Sequence, residues 1–345
     1  MRNITRISGS ILLIILLYTC CLSCSNGQGN KTATTDTTKK PKWIDPCKGK
    51  IWSKVNIVQI PLTAYENHIL GKVRSVAYKD YKLSDNPDSL KVLDDSGYNV
   101  YDKFGHLIDQ NEYKADGTPK WKCIYSYDER NKATGWDFRF FDRMEHKKTT
   151  FKYDDKGHEI EQDTYDENGK PTRKVTKKYD DKGREIEVAR YNKLDKPPII
   201  ETYKYDDKGN QIEFVEKSGD GKLIWKMICE FDNNGNKIGE ISYRSDTGKP
   251  SKSQRKNDDM GRIIETISYN PDGSIWSRST FKYDDWSNVT EYVSYDKDGK
   301  LKEDWSRYSE LEYDATGNVI KETEYKMKAG KKTKTYLTET KYTYY

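Results

Sequence analysis

The sequence predicts an all-β protein built from tandem 26-residue β-hairpin repeats, arranged as a long antiparallel meander that forms a curved sheet or partial shell. Three observations predict it. A Tyr-Asp-x-x-Gly unit recurs at a fixed period, with its Asp at Asp102, Asp128, Asp154, Asp180, Asp206, Asp232, Asp258 and Asp284; a ninth, Asp314, arrives four residues late. Each unit contains two turns, leaving two runs of about seven to nine residues rich in Tyr, Thr, Ile, Val and Lys, which is strand length and strand chemistry. The chain also carries 27 Tyr and 8 Trp, large side chains suited to a pleated, half-buried surface. Two strands per unit over nine units give about eighteen strands.

Taken in order, residues 1–23 read as a signal peptide. Arg2 and Arg6 supply the positive start, and the apolar run from Ile11 to Leu17 is too short to span a bilayer. The Ser23-Cys24 pair that follows resembles the lipobox of bacterial lipoproteins. That resemblance implies cleavage before Cys24, lipidation of its thiol and, because Ser25 follows, export to the outer membrane. Residues 24–42 are Gly, Thr, Asn and Lys with hardly an apolar side chain, the composition of a flexible tether. Residues 43–82 fit the repeat poorly and are expected to cap one end of the sheet, whose end strands need cover. Residues 83–345 form the repeat domain.

Within a unit the same chemistry returns at the same offset. Tyr precedes the Asp in most units, with Phe231 standing in once and Asn257 the exception. Gly closes the turn in most units; at one its place is taken by Asn131, the residue type that best tolerates the left-handed conformation after Gly. Ile follows three residues later, as at Ile160 and Ile186, and a second Tyr precedes the second turn, as at Tyr165 and Tyr191. A four-residue Asp-x-x-Gly loop is preferred because it sets Tyr153 opposite His158 and on one face with Ile160. Period-2 alternation puts Trp121, Cys123, Tyr125 and Tyr127 on one side of their strand, with Lys122 and Ser126 on the other.

Tyr179-Asp180-Asp181-Lys182-Gly183-Arg184 and its relatives between Tyr101 and Ile320 resemble the YD repeats of the Rhs family. The resemblance implies strands wound into a spiral β-shell, which in long members encloses a C-terminal toxin, and it includes proteins described as carbohydrate-binding. Two departures limit what carries over: the period is longer than the usual YD unit, and the chain reaches Tyr345 within a final strand, without the family's self-cleaving core region or toxin.

Function is less legible. A formal charge of +5, lowered further by removal of Arg2 and Arg6, is not the footprint of a nucleic-acid binder. The acid pairs Asp154-Asp155, Asp180-Asp181, Asp206-Asp207 and Asp258-Asp259 sit in turns, where Asp caps its own backbone. Asp296-Lys297-Asp298-Gly299 opens like a Ca²⁺ loop but lacks the alternating third ligand and the closing Glu. The four His show no metal-ligand spacing, and His158 reads as a variable position after a turn Gly. Cys47, Cys123 and Cys229 are odd in number, and a bridge from Cys47 to either partner stays open. No nucleophile elbow, P-loop or dinucleotide fingerprint is present. The chain is therefore expected to be no enzyme and to need neither cofactor nor metal.

Two functional classes remain. One is a binding module for a glycan or a protein, anchored to the envelope membrane through its N-terminal lipid, with Trp121, Trp225, Trp276 and Trp305 as candidate stacking residues. The other is an envelope scaffold or immunity-type partner whose sheet edge pairs with another chain.

Overall fold

The computed structural model describes residue 69, residues 72–83 and residues 91–345. Cys24 and Cys47 lie outside these residues, as do the signal peptide, the tether and residues 43–68. The described residues form twenty strands: β1 (Val73–Lys82), β2 (Val92–Tyr101), β3 (Leu107–Lys114), β4 (Pro119–Tyr127), β5 (Ala133–Phe140), β6 (Glu145–Tyr153), β7 (Glu159–Tyr165), β8 (Pro171–Tyr179), β9 (Glu185–Tyr191) and β10 (Ile199–Tyr205). The second half continues with β11 (Gln211–Lys217), β12 (Leu223–Phe231), β13 (Lys237–Arg244), β14 (Pro250–Asn257), β15 (Ile263–Tyr269), β16 (Ile275–Tyr283), β17 (Val289–Tyr295), β18 (Arg307–Tyr313), β19 (Val319–Lys328) and β20 (Lys331–Tyr344).

Every strand pairs antiparallel with the next, as the repeat predicts. The meander does not stay open, however. β1 also pairs with β20, from Val76 opposite Tyr342 to Lys82 opposite Tyr336, so the sheet closes into a barrel. The period could not reveal this, because the closing strand β1 lies in residues 73–82, outside the repeat. Closure follows from accumulated twist and coiling, and it removes the two edges that an open meander would expose.

The turns explain the regularity. In the Asp154 turn, Asp154 N–H donates to the His158 carbonyl at 2.9 Å and Gly157 N–H donates back to the Asp154 carbonyl at 2.9 Å. Asp154 Oδ1 accepts the His158 N–H at 2.7 Å. The glycine position needs a left-handed backbone: φ is +75° at Gly183, and Asn131 takes the same region at +62°.

The loop is one residue longer than the four expected. Tyr153 opposes Glu159, while Lys152 already opposes Glu161, so Ile160 is the extra residue of a β-bulge. Ile160 consequently points away from the Tyr153 face and is 36% exposed. The same shift recurs beside Tyr179, Tyr205 and Tyr283.

The four extra residues before Asp314 make one turn of 3-10 helix, Glu303–Trp305. They interrupt the wall, since β17 and β18 share only the register pairs Glu291–Tyr308 and Tyr292–Arg307. Fully buried Ser306 mends the gap, accepting the Ser294 N–H at 3.0 Å and donating to the Lys302 carbonyl at 2.9 Å.

The two faces of the wall differ. On one, Lys178 and Lys204 keep 70% and 71% of their side-chain surface. On the other, Val188 and Phe214 keep 0% and 1%. Curvature spreads side chains on a convex face and crowds them on a concave one, so the crowded face is lumenal. A circular wall of twenty strands about 4.8 Å apart and tilted about 40° has a radius of roughly 20 Å, too wide for side chains to fill. Packing accordingly runs along the wall. One cluster joins Val73, Val76, Tyr101, Leu107, Cys123 and Tyr125 across β1 to β4; another joins Phe214, Met227 and Cys229 on β11 and β12.

Candidate functional site

The Tyr-Asp-x-x-Gly positions assemble into a ring at one end of the barrel. Tyr127, Tyr153, Tyr179, Tyr205 and Tyr283 each donate a hydroxyl to the backbone carbonyl twenty residues earlier, at 2.6–2.7 Å. Asn257 does the same through its amide to the Lys237 carbonyl at 3.2 Å, which explains how Asn substitutes for Tyr there. Asp Oδ2 is occupied as well. His158 Nδ1 meets Asp154 Oδ2 at 2.9 Å, Arg184 Nε donates to Asp180 Oδ2 at 2.6 Å and Asn210 donates to Asp206 Oδ2 at 2.8 Å.

The position after the glycine is therefore not a free variable. The His158 ring stacks on Tyr179 with centroids 4.8 Å apart, and the Arg184 guanidinium lies 4.7 Å over the Tyr205 ring. Where the next unit carries a tyrosine, as in these two cases, the turn thereby grips it. Sequence reasoning missed this because His, Arg, Asn and Lys look unrelated; His, Arg and Asn each supply a side-chain donor for Asp, while Lys132 donates to the Gly157 carbonyl and lies over the Tyr153 ring.

These contacts assign the first Asp of each acid pair to turn capping. Asp296 acts likewise, accepting the Asp298 and Lys300 N–H groups at 3.0 and 2.9 Å. Among the described residues, no group of three His, Cys, Asp or Glu is arranged to hold a metal ion. Cys123 and Cys229 are buried free thiols in separate clusters, and the bridge left open for Cys47 lies outside the described residues. Burial pushes the Cys123 thiol up to about 12, leaving it unreactive.

The lumenal wall carries two aromatic strips flanked by charged groups. On β4 and β5, Trp121 stacks on Phe138 with centroids 5.5 Å apart, and Phe138 meets Phe140 at 4.4 Å. Trp121 Nε1 donates to Glu112 at 2.8 Å, and Lys120 pairs with both Glu112 and Asp95. A second strip runs across β10 to β12, where Tyr203 meets Phe214 at 5.5 Å and Phe214 meets Trp225 at 4.8 Å. The Tyr203 hydroxyl donates to Glu201 at 2.8 Å, and Glu201 holds Arg190 through two bonds of 2.7 and 2.9 Å. Beside it Lys177 lies 2.8 Å from Glu159 and 3.7 Å from Glu185. Burial opposes the Lys177 charge, but those two carboxylates outweigh it and hold its pKa above the ordinary value.

Trp121 and Trp225 thus face the lumen. Trp276 and Trp305 do not join them; they are 60% and 68% exposed. Lys302 sits 5.3 Å over the Trp276 ring, close to the helical insertion.

The outer wall is a charge ladder. Lys152, Glu161 and Lys174 form one row, and Lys204, Glu213 and Lys226 another, the latter with contacts of 2.7 and 2.8 Å. A barrel spanning a bilayer needs an apolar outer band roughly 25 Å tall, and these charged rows lie on the strands that would have to carry it. No helix among the described residues is long and apolar enough to cross a membrane.

No protein-family model and no curated protein matches the chain. Among solved structures, a porin-like protein from Bacteroides uniformis is similar at a TM-score of 0.37 and 12% identity, over 82% of this chain and 99% of that one. A TcdB2-TccC3 crystal structure is similar at a TM-score of 0.26 and 13% identity, over 69% of this chain. The Tc holotoxin pore of Photorhabdus luminescens follows at 0.22 and 13%, over 66% of this chain. This chain spans only 16% and 15% of those two toxin chains. At these TM-scores the likenesses carry no argument about activity, and the barrel rests on its own strand pairing.

Proposed function

We propose that this is a non-enzymatic, lipid-anchored envelope protein of the YD-repeat kind, whose water-standing barrel binds carbohydrate on its lumenal wall. The observation that carries the reading is the pair of lumenal aromatic strips, around Trp121 and around Trp225, each flanked by charged hydrogen-bonding groups. Flat apolar platforms beside fixed polar partners suit a sugar, which offers an apolar ring face and a rim of hydroxyls. Location is read from the signal peptide and Cys24, with the outer membrane as the anchoring surface. The charged outer wall supports a barrel beside the membrane rather than within it.

The scaffold or immunity-type alternative loses its original form, because a closed wall offers no sheet edge for another chain to join. A protein partner would have to dock on loops or on the outer face.

A glycan array tests the proposal. Wild type and the exposed-site variants Trp276→Ala and Trp305→Ala are expected to bind alike, while Trp121→Phe and Trp225→Phe, which keep most of the packing, bind weakly. A silent array together with stoichiometric capture of a protein would overturn the reading. So would unchanged binding by both lumenal variants. For the anchor, Cys24→Ser is expected to release the protein from the membrane fraction or leave its signal peptide uncleaved; mature protein still fully membrane-bound would refute it.

A further inference from the structure

Several lumenal cations come with close carboxylate partners, and Arg173 on β8 differs from them. Lys177 pairs with Glu159 and Glu185, Arg190 with Glu201, and Lys237 with Glu240 at 2.5 Å. Arg173 lies on the same face, directly opposite Thr164 of β7. Its Nε is buried without a hydrogen-bond partner, and its guanidinium makes no ion pair among the described residues. Glu201, whose charge acts on Arg173, is already spent on Arg190 and Tyr203.

We propose that Arg173 anchors a carboxylate and that the lumenal wall from β8 to β12 takes an acidic glycan. The proposal rests on the carbohydrate reading above and adds the ligand class. An unpaired buried donor costs free energy, and such groups call for a ligand or function that the isolated chain does not show. A guanidinium is the side chain whose planar fork matches a carboxylate through two parallel hydrogen bonds. Burial and the neighbouring Arg190 charge both depress the Arg173 pKa, so an incoming anion relieves a repulsion already present.

The geometry also sets the size of the ligand. From Arg173 the wall passes Arg190 on β9, Glu201 and Tyr203 on β10 and Phe214 on β11 before reaching Trp225 on β12. Four strand spacings amount to about 19 Å, the reach of an extended oligosaccharide rather than of one sugar. One end of the strip is cationic and the other aromatic. A chain with a uronic acid at one end and an apolar ring face at the other meets both.

The test is calorimetric titration of the full mature protein with tetragalacturonate and with neutral maltotetraose, alongside melting curves. Wild type is expected to prefer the acidic probe. Arg173→Gln is expected to weaken tetragalacturonate binding by roughly tenfold or more, the loss for a charge-assisted hydrogen bond, while leaving the melting temperature unchanged or higher. Arg173→Lys, which keeps the charge but not the fork, should fall between. Equal affinity for both probes, or an unaltered Arg173→Gln affinity, overturns the carboxylate anchor and leaves the carbohydrate reading intact. A lowered melting temperature with unchanged affinity shows Arg173 to be structural and also overturns it. Folded protein that binds neither these probes nor any glycan on the array overturns both.

Discussion

The Tyr179 hydroxyl donates to the Glu159 carbonyl across 2.6 Å, while its ring is stacked on His158, the residue just before Glu159. One tyrosine thus fastens both the exit of the preceding turn and the side chain that closes it. Glu159 is itself half-buried, so removing the donor leaves its carbonyl poorly satisfied.

Tyr179→Phe is therefore expected to cost about 1 kcal/mol, read by urea denaturation as a lower midpoint with unchanged slope. His158→Asn should cost less than about 0.5 kcal/mol, because Asn210 fills the equivalent position with an equivalent bond, whereas His158→Ala should lose about 1 kcal/mol. Equal losses in the two His158 variants would refute the role assigned to that position.

The two acids of a pair are expected to behave differently. Asp180 accepts the Lys182 and Arg184 N–H groups at 3.0 and 2.9 Å, and Asp181 caps nothing. Asp180→Ala should cost about 1 kcal/mol and Asp181→Ala stay within about 0.5 kcal/mol. Burial opposes ionisation of Asp180, but the Arg184 N–H and guanidinium outweigh it and lower its pKa. A lowered folded pKa means that stabilisation is complete above the unfolded value near 4 and is lost as pH falls through the folded one. The difference between wild type and Asp180→Ala should accordingly shrink below about pH 4. A difference that persists at pH 2 would refute the ionic cap.

Closure is directly testable. Ala77 of β1 and Lys341 of β20 are opposite each other and both exposed. Ala77→Cys with Lys341→Cys should form a disulfide within one chain under mild oxidation, since facing strand positions meet the distance a disulfide needs. Peptide mapping would identify it. An open meander would hold the two ends some twenty strands apart, and only links between chains would appear.

Glu322 of β19 supplies a pH-dependent case of the opposite sign. Burial, then the charges of Glu324 and Asp80, raise its pKa even though Ser309 donates to it at 2.8 Å. Ionising it in the fold costs free energy that the unfolded chain does not spend. Glu322→Gln keeps the acceptor for Ser309 and removes that cost, so it should raise the melting temperature at pH 7 and make little difference at pH 4. A variant less stable than wild type at pH 7 would overturn this account.

Much of the architecture was legible because its determinants are local. Asp and Gly at fixed spacing specify turns, and the runs between them specify strands, so the hairpins and the insertion before Asp314 could be placed from residue names alone. Closure was not legible, since it depends on summed twist and on β1, which carries no repeat motif. The loop length was misjudged by one residue because gathering Tyr153 and Ile160 on one face is worth less than the two N–H bonds that the Asp cap collects around a bulge. Of the candidate tryptophans, alternation placed Trp121 and Trp225 among neighbours that prove lumenal, but Trp276 is the extra residue of the bulge between β15 and β16 and Trp305 lies in the 3-10 insertion, two places where alternation has no register. Arg173 was invisible in the sequence: its distinction is the missing partner, and partners are a property of the folded wall.

Because most units are fastened to the one before by a tyrosine and a turn, and all of them pair only with their neighbours along the sheet, no unit senses how many others exist. The girth of the ring is then a matter of counting: gaining or losing one repeat would widen or narrow the enclosure by two strands and disturb only the single joint where the first strand meets the last. Descendants of such a gene could fit cargo of different bulk by duplication alone, with no new interface to evolve.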